Sequence, residues 1–203
     1  PLEGQINVII SNSSKKLSTA ISISKDTGLR PIEVMNLTLK NIDLQNGVIY
    51  PETAKHGSPR ALKVKNTTLN LLNQYIASKN LGLNDKLFGS WNSDTYGQQF
   101  RIVRNRVAKK LGDITIKGIR LYDLRHFYAT MTYHKTKDIL FLKQQMGHKK
   151  IETTLIYTQL VNFESDDYTS AVAKNINDAQ KLIESGFEYV TTFEDMMLFR
   201  KRK

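Results

Sequence analysis

The chain has 203 residues, 40% of them hydrophobic and 24% charged, which suits one good-sized globular domain with room for a tail. Thirty Lys and Arg against nineteen Asp and Glu give a formal net charge of +11, an excess that favours a polyanionic partner, nucleic acid before an anionic membrane surface. Zero cysteines exclude disulfides, cysteine nucleophiles and thiolate metal sites, and no apolar run approaches the roughly 18 residues of a membrane span.

Residues 1–15 are polar and read as a lead-in. Helical periodicity begins near Lys16 and runs to the break at Gly28. A second helix follows with Pro31 in its first turn, where proline is tolerated, and apolar positions at Ile32, Val34, Met35, Leu37 and Leu39. Asn46-Gly47 is a hairpin signal between Ile42–Leu44 and Val48–Tyr50. A second turn across Lys55–Arg60 leads to a third strand at Ala61–Val64, so a small antiparallel sheet interrupts a helical protein. Asn66–Lys79 returns to helical spacing. Gln98–Leu111 is helical and basic, with Arg101, Arg104, Arg106, Lys109 and Lys110 around a Val103/Val107 stripe. That face is either solvated or turned to DNA; Arg101, Arg104 and Lys109 are the DNA-binding candidates.

Asp123–Thr132 and Asp138–Met146 are two further helices, the second stopped by Gly147. Lys150–Leu160 is a short helix carrying Tyr157. ESDDYTS reads as a linker. The tail at 164–203 is expected to hold a helix over Ala171–Ser185 and a C-terminal hairpin turning near Phe193–Asp195.

Phosphate loops, dinucleotide fingerprints and HExxH are absent from the sequence, and His56, His126, His134 and His148 lack metal-ligand spacing. Phosphodiester chemistry here would fall to cationic side chains. Three stretches then carry a resemblance. TGLRPIEVMNL resembles the first arginine box of the tyrosine recombinases (the phage-integrase family). YDLRHFYAT resembles their second arginine box. In MGHKKIETTLIYTQL a histidine precedes a tyrosine by nine residues, as in their nucleophile box. The boxes occur in the family's order, across 16–163.

The resemblance implies a mainly α (α+β) catalytic domain with a small three-stranded antiparallel sheet. It implies cleavage and rejoining of double-stranded DNA through a 3′-phosphotyrosyl intermediate, with no cofactor. Arg30 and Arg125 would clamp the phosphate as planar multi-donor forks. An ion pair between Arg30 and Glu33 is the bland alternative for the first. Lys55 would protonate the leaving 5′-hydroxyl, with Lys63 and Lys65 nearby in the sequence. His148 would donate to a non-bridging oxygen, and Tyr157 would be the nucleophile. Tyr122 departs from the family's usual histidine three residues before the second arginine. It can donate a hydrogen bond, but a phenol titrating at about 10 is a poor base near neutral pH. His126, about 100° round the helix from Arg125, reads as a packing or helix-stabilising residue.

The family's partners would be double-stranded DNA and three further copies of the protein, inside the cell and off the membrane. Pro1 in place of methionine, and no room before Lys16 for the family's N-terminal DNA clamp, point to a fragment of a longer integrase that binds and cleaves weakly alone. The look of YDLRHFYAT and of the tail is similar to archaeal integrases. Two other readings stay open: a type IB topoisomerase-like enzyme, and a non-catalytic DNA-binding protein of the same fold.

Overall fold

The computed structural model describes residues 1–53, 58–158, 168–193 and 195–202. The chain divides into two compact units, Pro1–Leu160 and Val161–Lys203.

The first unit is built around α2 (Lys15–Thr27), which follows α1 (Glu3–Ser11). Ser14 caps α2 by accepting the Leu17 N–H. Its sequence, KKLSTAISISKDT, looks too polar for a central helix, yet nearly every residue from Leu17 to Thr27 is buried. The hydroxyls make this possible. Thr19, Ser24 and Thr27 donate to carbonyls four residues back, at 2.8, 3.0 and 2.6 Å, so these three hydroxyls are satisfied within the helix. Ser24 also meets the buried Tyr96 hydroxyl at 2.8 Å.

After α3 (Pro31–Met35) and a 3-10 turn at Leu39–Asn41 come β1 (Ile42–Asp43), β2 (Val48–Ile49) and β3 (Leu62–Lys63). They form the expected antiparallel sheet in the order β1-β2-β3. The Asp43 carboxylate accepts the N–H groups of Gln45 and Asn46, and Gly47 takes the left-handed conformation that closes the turn. The unit continues with α4 (Asn66–Ala77), α5 (Ser93–Leu111), α6 (Ile114–Lys117), α7 (Asp123–Thr136), α8 (Ile139–Met146) and α9 (Glu152–Leu155). The basic helix starts five residues earlier than its periodicity suggested, because Asn92 caps it by accepting the Thr95 N–H at 2.8 Å. The helix before Tyr157 is shorter than expected. It ends at Leu155 and passes into a turn in which the Tyr157 N–H bonds the Thr154 carbonyl.

Residues 3–11 are not a lead-in. They form α1, whose Ile6 and Ile9 are fully buried in the main core with Ile21, Val34 and Phe100. A smaller apolar cluster joins Ala129, Leu142, Met146 and Tyr157.

The second unit differs from the expected helix plus hairpin. β4 (Tyr168–Ala173), α10 (Ile176–Glu184), β5 (Glu188–Phe193) and β6 (Met196–Arg202) make an antiparallel sheet in the order β4-β6-β5 with one helix. Ala171–Ala173 pair with Met197–Phe199 instead of starting the helix, which begins after Asn175, whose side chain accepts the Asp178 N–H. Of the expected linker, residues 164–167 lie outside the described residues and Tyr168–Ser170 belong to β4. The hairpin forms, with Asp195 at φ 60° in its turn. Among the described residues no helix is long and apolar enough to cross a membrane.

Ile9→Ala should cost about 2–5 kcal/mol in urea unfolding, the range for a truncated buried isoleucine. A cost within experimental error of zero would return α1 to the status of a lead-in.

Candidate active site

Two left-handed glycines set the site. Gly28 ends α2 at φ +62°, and its N–H bonds the Ser24 carbonyl. A Cβ there would lie 2.4 Å from the Tyr128 ring, so the position is closed to side chains on two grounds. The turn delivers Arg30 to the start of α3, where Pro31 presets the first helical residue. Glu33 reaches back to accept the Arg30 backbone N–H at 2.8 Å and its Nη1 at 3.2 Å. The bland alternative for Arg30 is therefore present as a bond.

Glu33 also holds a residue that sequence reading did not single out. Arg60 Nη2 donates to Glu33 Oε2 at 2.8 Å, with both side chains essentially unexposed. Burial pushes the Glu33 pKa up. The Arg30 backbone hydrogen bond and the Arg60 and Arg30 charges outweigh it, leaving the carboxyl below its ordinary value. Arg60 Nε and Nη1 are buried with no hydrogen-bond partner among the described residues. Nothing in the polar run before β3 marks Arg60 as different from any turn arginine.

Gly147 ends α8 at φ +64°. Its N–H bonds the Gln144 carbonyl and the His148 N–H bonds that of Lys143, a Schellman closure. A Cβ on Gly147 would lie 2.6 Å from Arg60 Nη1. The same turn exposes the Met146 carbonyl inward and presents His148.

Arg125, near the start of α7 and 2% exposed, ties the two turns together. Its Nη1 donates to the Gly28 carbonyl at 2.5 Å, and its Nη2 donates to the Met146 carbonyl at 2.8 Å. Nη2 also lies 3.1 Å from His148 Nε2. A guanidinium can only donate, so His148 Nε2 is the acceptor and its proton sits on Nδ1. Nδ1 lies 3.0 Å from the Thr154 hydroxyl, which receives it. Burial, then the charges of Arg125, Arg30 and Arg60, lower the His148 pKa to about 4. Burial, then the Arg30 charge, lower that of Arg125 to about 10, which leaves it charged at neutral pH.

Tyr157 is 2% exposed and packs on Ala129, Leu142 and Met146. Burial raises its hydroxyl pKa, against the pull of Arg125. The hydroxyl lies 3.1 Å from His126 Nδ1. His126 is thus not a simple packing residue. Its place about 100° from Arg125 turns it toward the tyrosine. Tyr122 is 46% exposed, and its ring meets the His126 ring edge-on at 5.3 Å between centroids.

Arg30, Arg125, His148 and Tyr157 therefore converge through Glu33, two backbone carbonyls and His126. Lys55 lies outside the described residues. On α5, Arg101 and Lys109 are exposed. Arg104, expected to face DNA, is half-buried and donates to the Ile119 carbonyl at 2.8 Å, bracing the segment that leads into α7.

A mainly helical fold with this cluster matches one class of protein. The model of the phage integrase family covers residues 3–163, and the chain belongs to that family. Tyrosine recombinase XerA from Saccharolobus solfataricus is 36% identical over 141 residues, 70% of this chain and 45% of that protein. A probable integrase/recombinase from Methanocaldococcus jannaschii is 30% identical over 158 residues, 74% of this chain and 48% of that protein. The chain spans about half the length of these relatives. Both come from archaea, as the resemblance implied. The crystal structure of XerA recombinase superposes with a TM-score of 0.66 at 24% identity, over 92% of this chain and 64% of that one. The catalytic domain of bacteriophage HP1 integrase does so at 0.60 and 23%, over 81% and 89%. At these identities the superpositions establish the fold.

Gly28→Ala and Gly112→Ala separate backbone strain from the clash. Both sites have φ above +60°, but nothing lies within 4 Å of a Cβ at Gly112. Gly112→Ala should cost about 1–2 kcal/mol and Gly28→Ala about 1–3 kcal/mol more, read by urea unfolding. Equal costs would mean that the Tyr128 contact does not constrain the turn.

A histidine depressed to about 4 favours the unfolded state as pH falls from 6.5 toward 4, because the unfolded chain takes up the proton first. Its contribution to stability is complete above pH 6.5 and lost through that window. The stability-versus-pH slope between 6.5 and 4 should flatten in His148→Gln. An unchanged slope would show that His148 titrates normally.

Proposed function

We propose that this chain cleaves and rejoins DNA strands as the catalytic part of a site-specific recombinase. Tyr157 would attack a phosphodiester, form a 3′-phosphotyrosyl link and release a 5′-hydroxyl. A 5′-hydroxyl from a partner duplex would reverse the step. The observation that carries this reading is the convergence of Arg30, Arg125 and His148 beside a buried tyrosine whose surroundings hold more positive than negative charge.

Arg30 and Arg60 share the Glu33 carboxylate and Arg125 lies within reach of its charge, so among the described residues the pocket holds more positive than negative charge. An incoming phosphate adds negative charge. Arg125 is oriented by two carbonyls before any substrate arrives, and Arg30 by Glu33. Donors aimed at the equatorial oxygens gain most when those oxygens carry the extra charge of the pentavalent transition state. His148 accepts from Arg125 through Nε2 in the free protein. Burial and then the arginine charges depress its pKa; a phosphate would offset those charges, and with a proton on Nε2 His148 becomes the donor that the family likeness assigns. Lys55 keeps, by that likeness, the role of protonating the leaving 5′-oxygen. No cofactor is needed for the exchange of one ester for another.

Charge distribution supports double-stranded DNA as the partner of the first unit. Before Val161 the sequence holds 24 Lys and Arg against 11 Asp and Glu, net +13; from Val161 onward it holds 6 against 8, net −2. Exposed Arg101 and Lys109 on α5 are candidate phosphate contacts, and Tyr122 a candidate donor at the rim of the pocket. Structural neighbours include Tn1549 transposon integrase in complex with circular intermediate DNA and XerH bound to its difH substrate. Assembly of four protomers on two sites, inside the cell, completes the reading.

A pool of duplexes nicked beside a randomised segment should trap a covalent adduct with the protein, since the short product beyond the nick diffuses away. The adduct should form without added metal and be absent in Tyr157→Phe. An adduct of undiminished yield in Tyr157→Phe would remove Tyr157 as the nucleophile. Non-covalent binding should weaken steeply with salt, as counterion release requires, and a flat salt dependence would argue against a phosphate-lined surface.

A further inference from the structure

Attack by a phenol needs somewhere for its proton to go. The family's usual histidine for that neighbourhood is Tyr122 here, a phenol in place of an imidazole with a free ring nitrogen. The described residues near Tyr157 offer His126 in its place, and we propose that His126 is the general base that takes the Tyr157 proton. This rests on the reading of Tyr157 as the nucleophile.

The geometry is direct. His126 Nδ1 lies 3.1 Å from Tyr157 Oη, inside the range for proton transfer. The ring is fixed from several sides. It sits on α7 one residue after Arg125, so the helix that places the phosphate clamp also places the base. The Tyr122 ring meets it edge-on, and Tyr157 is held against Ala129, Leu142 and Met146. With its proton on Nε2, the imidazole presents a lone pair to the hydroxyl.

The charged and titratable groups that act on His126 are Asp123, Arg120 and Arg125, with Tyr122 and Tyr157 in ring contact. Burial lowers its pKa most; Asp123 raises it, and Arg120 and Arg125 lower it further, for a net decrease from 6.5. It is therefore neutral, and able to accept, at neutral pH. His148 does not compete for the role, since its Nε2 is occupied by Arg125 and its Nδ1 by Thr154.

The step balances as follows. The Tyr157 oxygen forms a bond to phosphorus as its proton moves to His126 Nδ1. The phosphorus–O5′ bond breaks, and the leaving oxygen takes a proton from a separate acid. In the reverse step a 5′-hydroxyl bonds to phosphorus and gives its proton back to that acid, the bond from phosphorus to the Tyr157 oxygen breaks, and the imidazolium returns its proton to the tyrosine. The phenol starts with a raised pKa, so transfer becomes favourable only as the new bond develops and the phenol proton grows acidic. A base held in place for that moment accelerates the step selectively.

Two measurements test this. In the DNA-free protein, long-range ¹H–¹⁵N NMR should show His126 with Nε2 protonated and Nδ1 bare, titrating below pH 6.5. A proton on Nδ1 would overturn the assignment. In adduct formation with the nicked pool, His126→Gln should slow the rate roughly 10²–10⁴-fold and abolish the fall in rate on the acid side. His126→Ala should be partly restored by added imidazole. A rate within about threefold of wild type would overturn the proposal, and so would a slower rate with the acid limb kept and no imidazole rescue. Non-covalent DNA binding by both variants checks that they are folded. If wild type forms no adduct, or Tyr157→Phe still does, the nucleophile reading fails instead, while the NMR result still decides the contact itself.

Discussion

One buried guanidinium holds the site together. Arg125 reaches the Gly28 carbonyl, 97 residues away in sequence, the Met146 carbonyl 21 away and the His148 ring. Each partner is presented by a helix end closed by a left-handed glycine with no room for a Cβ, Gly28 after α2 and Gly147 after α8. A charge buried to this degree is tolerated because its donors meet fixed acceptors. The two turns keep their places partly because the charge needs them. Positions that look like ordinary helix stops thus hold the Arg125 cluster in place.

The same economy governs the anion. Glu33 is the carboxylate shared by Arg30 and Arg60, and it remains ionised despite burial because both guanidiniums and a backbone N–H face it. With Arg30 and Arg60 on one carboxylate, one positive charge is left over, and two Arg60 donor atoms have no partner among the described residues. The Arg60 field falls on His148 and helps hold that ring neutral. The pocket is therefore preorganised at a cost that an arriving phosphate would relieve, which is the condition for stabilising a transition state more than a ground state. Tyr157 sits in different surroundings, an apolar cluster with, among the described residues, a polar contact at His126.

Much of this was legible in the residues. Arg30, Arg125, His148 and Tyr157 stood out because each belongs to a box with its own spacing, and Asn46-Gly47 announced its hairpin through local turn chemistry. What escaped was what depends on distant partners. Arg60 looks like any arginine in a polar turn until Glu33 is placed beside it. A helical wheel sets His126 about 100° round from Arg125, which suggests packing; that Tyr157, 31 residues on, meets it depends on the fold. Residues 3–11 are short of strong helix signals, and their two buried isoleucines find a core only once α2 and α5 are assembled. In the tail, Ala171–Ala173 suit helix and strand alike; the pairing with Met197–Phe199 decides.

In the proposed chemistry one of nine tyrosines makes the bond to DNA. Trapped adduct, digested with nuclease and protease and sequenced by tandem mass spectrometry, reads this directly. A nucleotide joined through its 3′-phosphate to the peptide containing Tyr157 is the expected result. The same mass on any other tyrosine, or a link through a 5′-phosphate, would contradict the account.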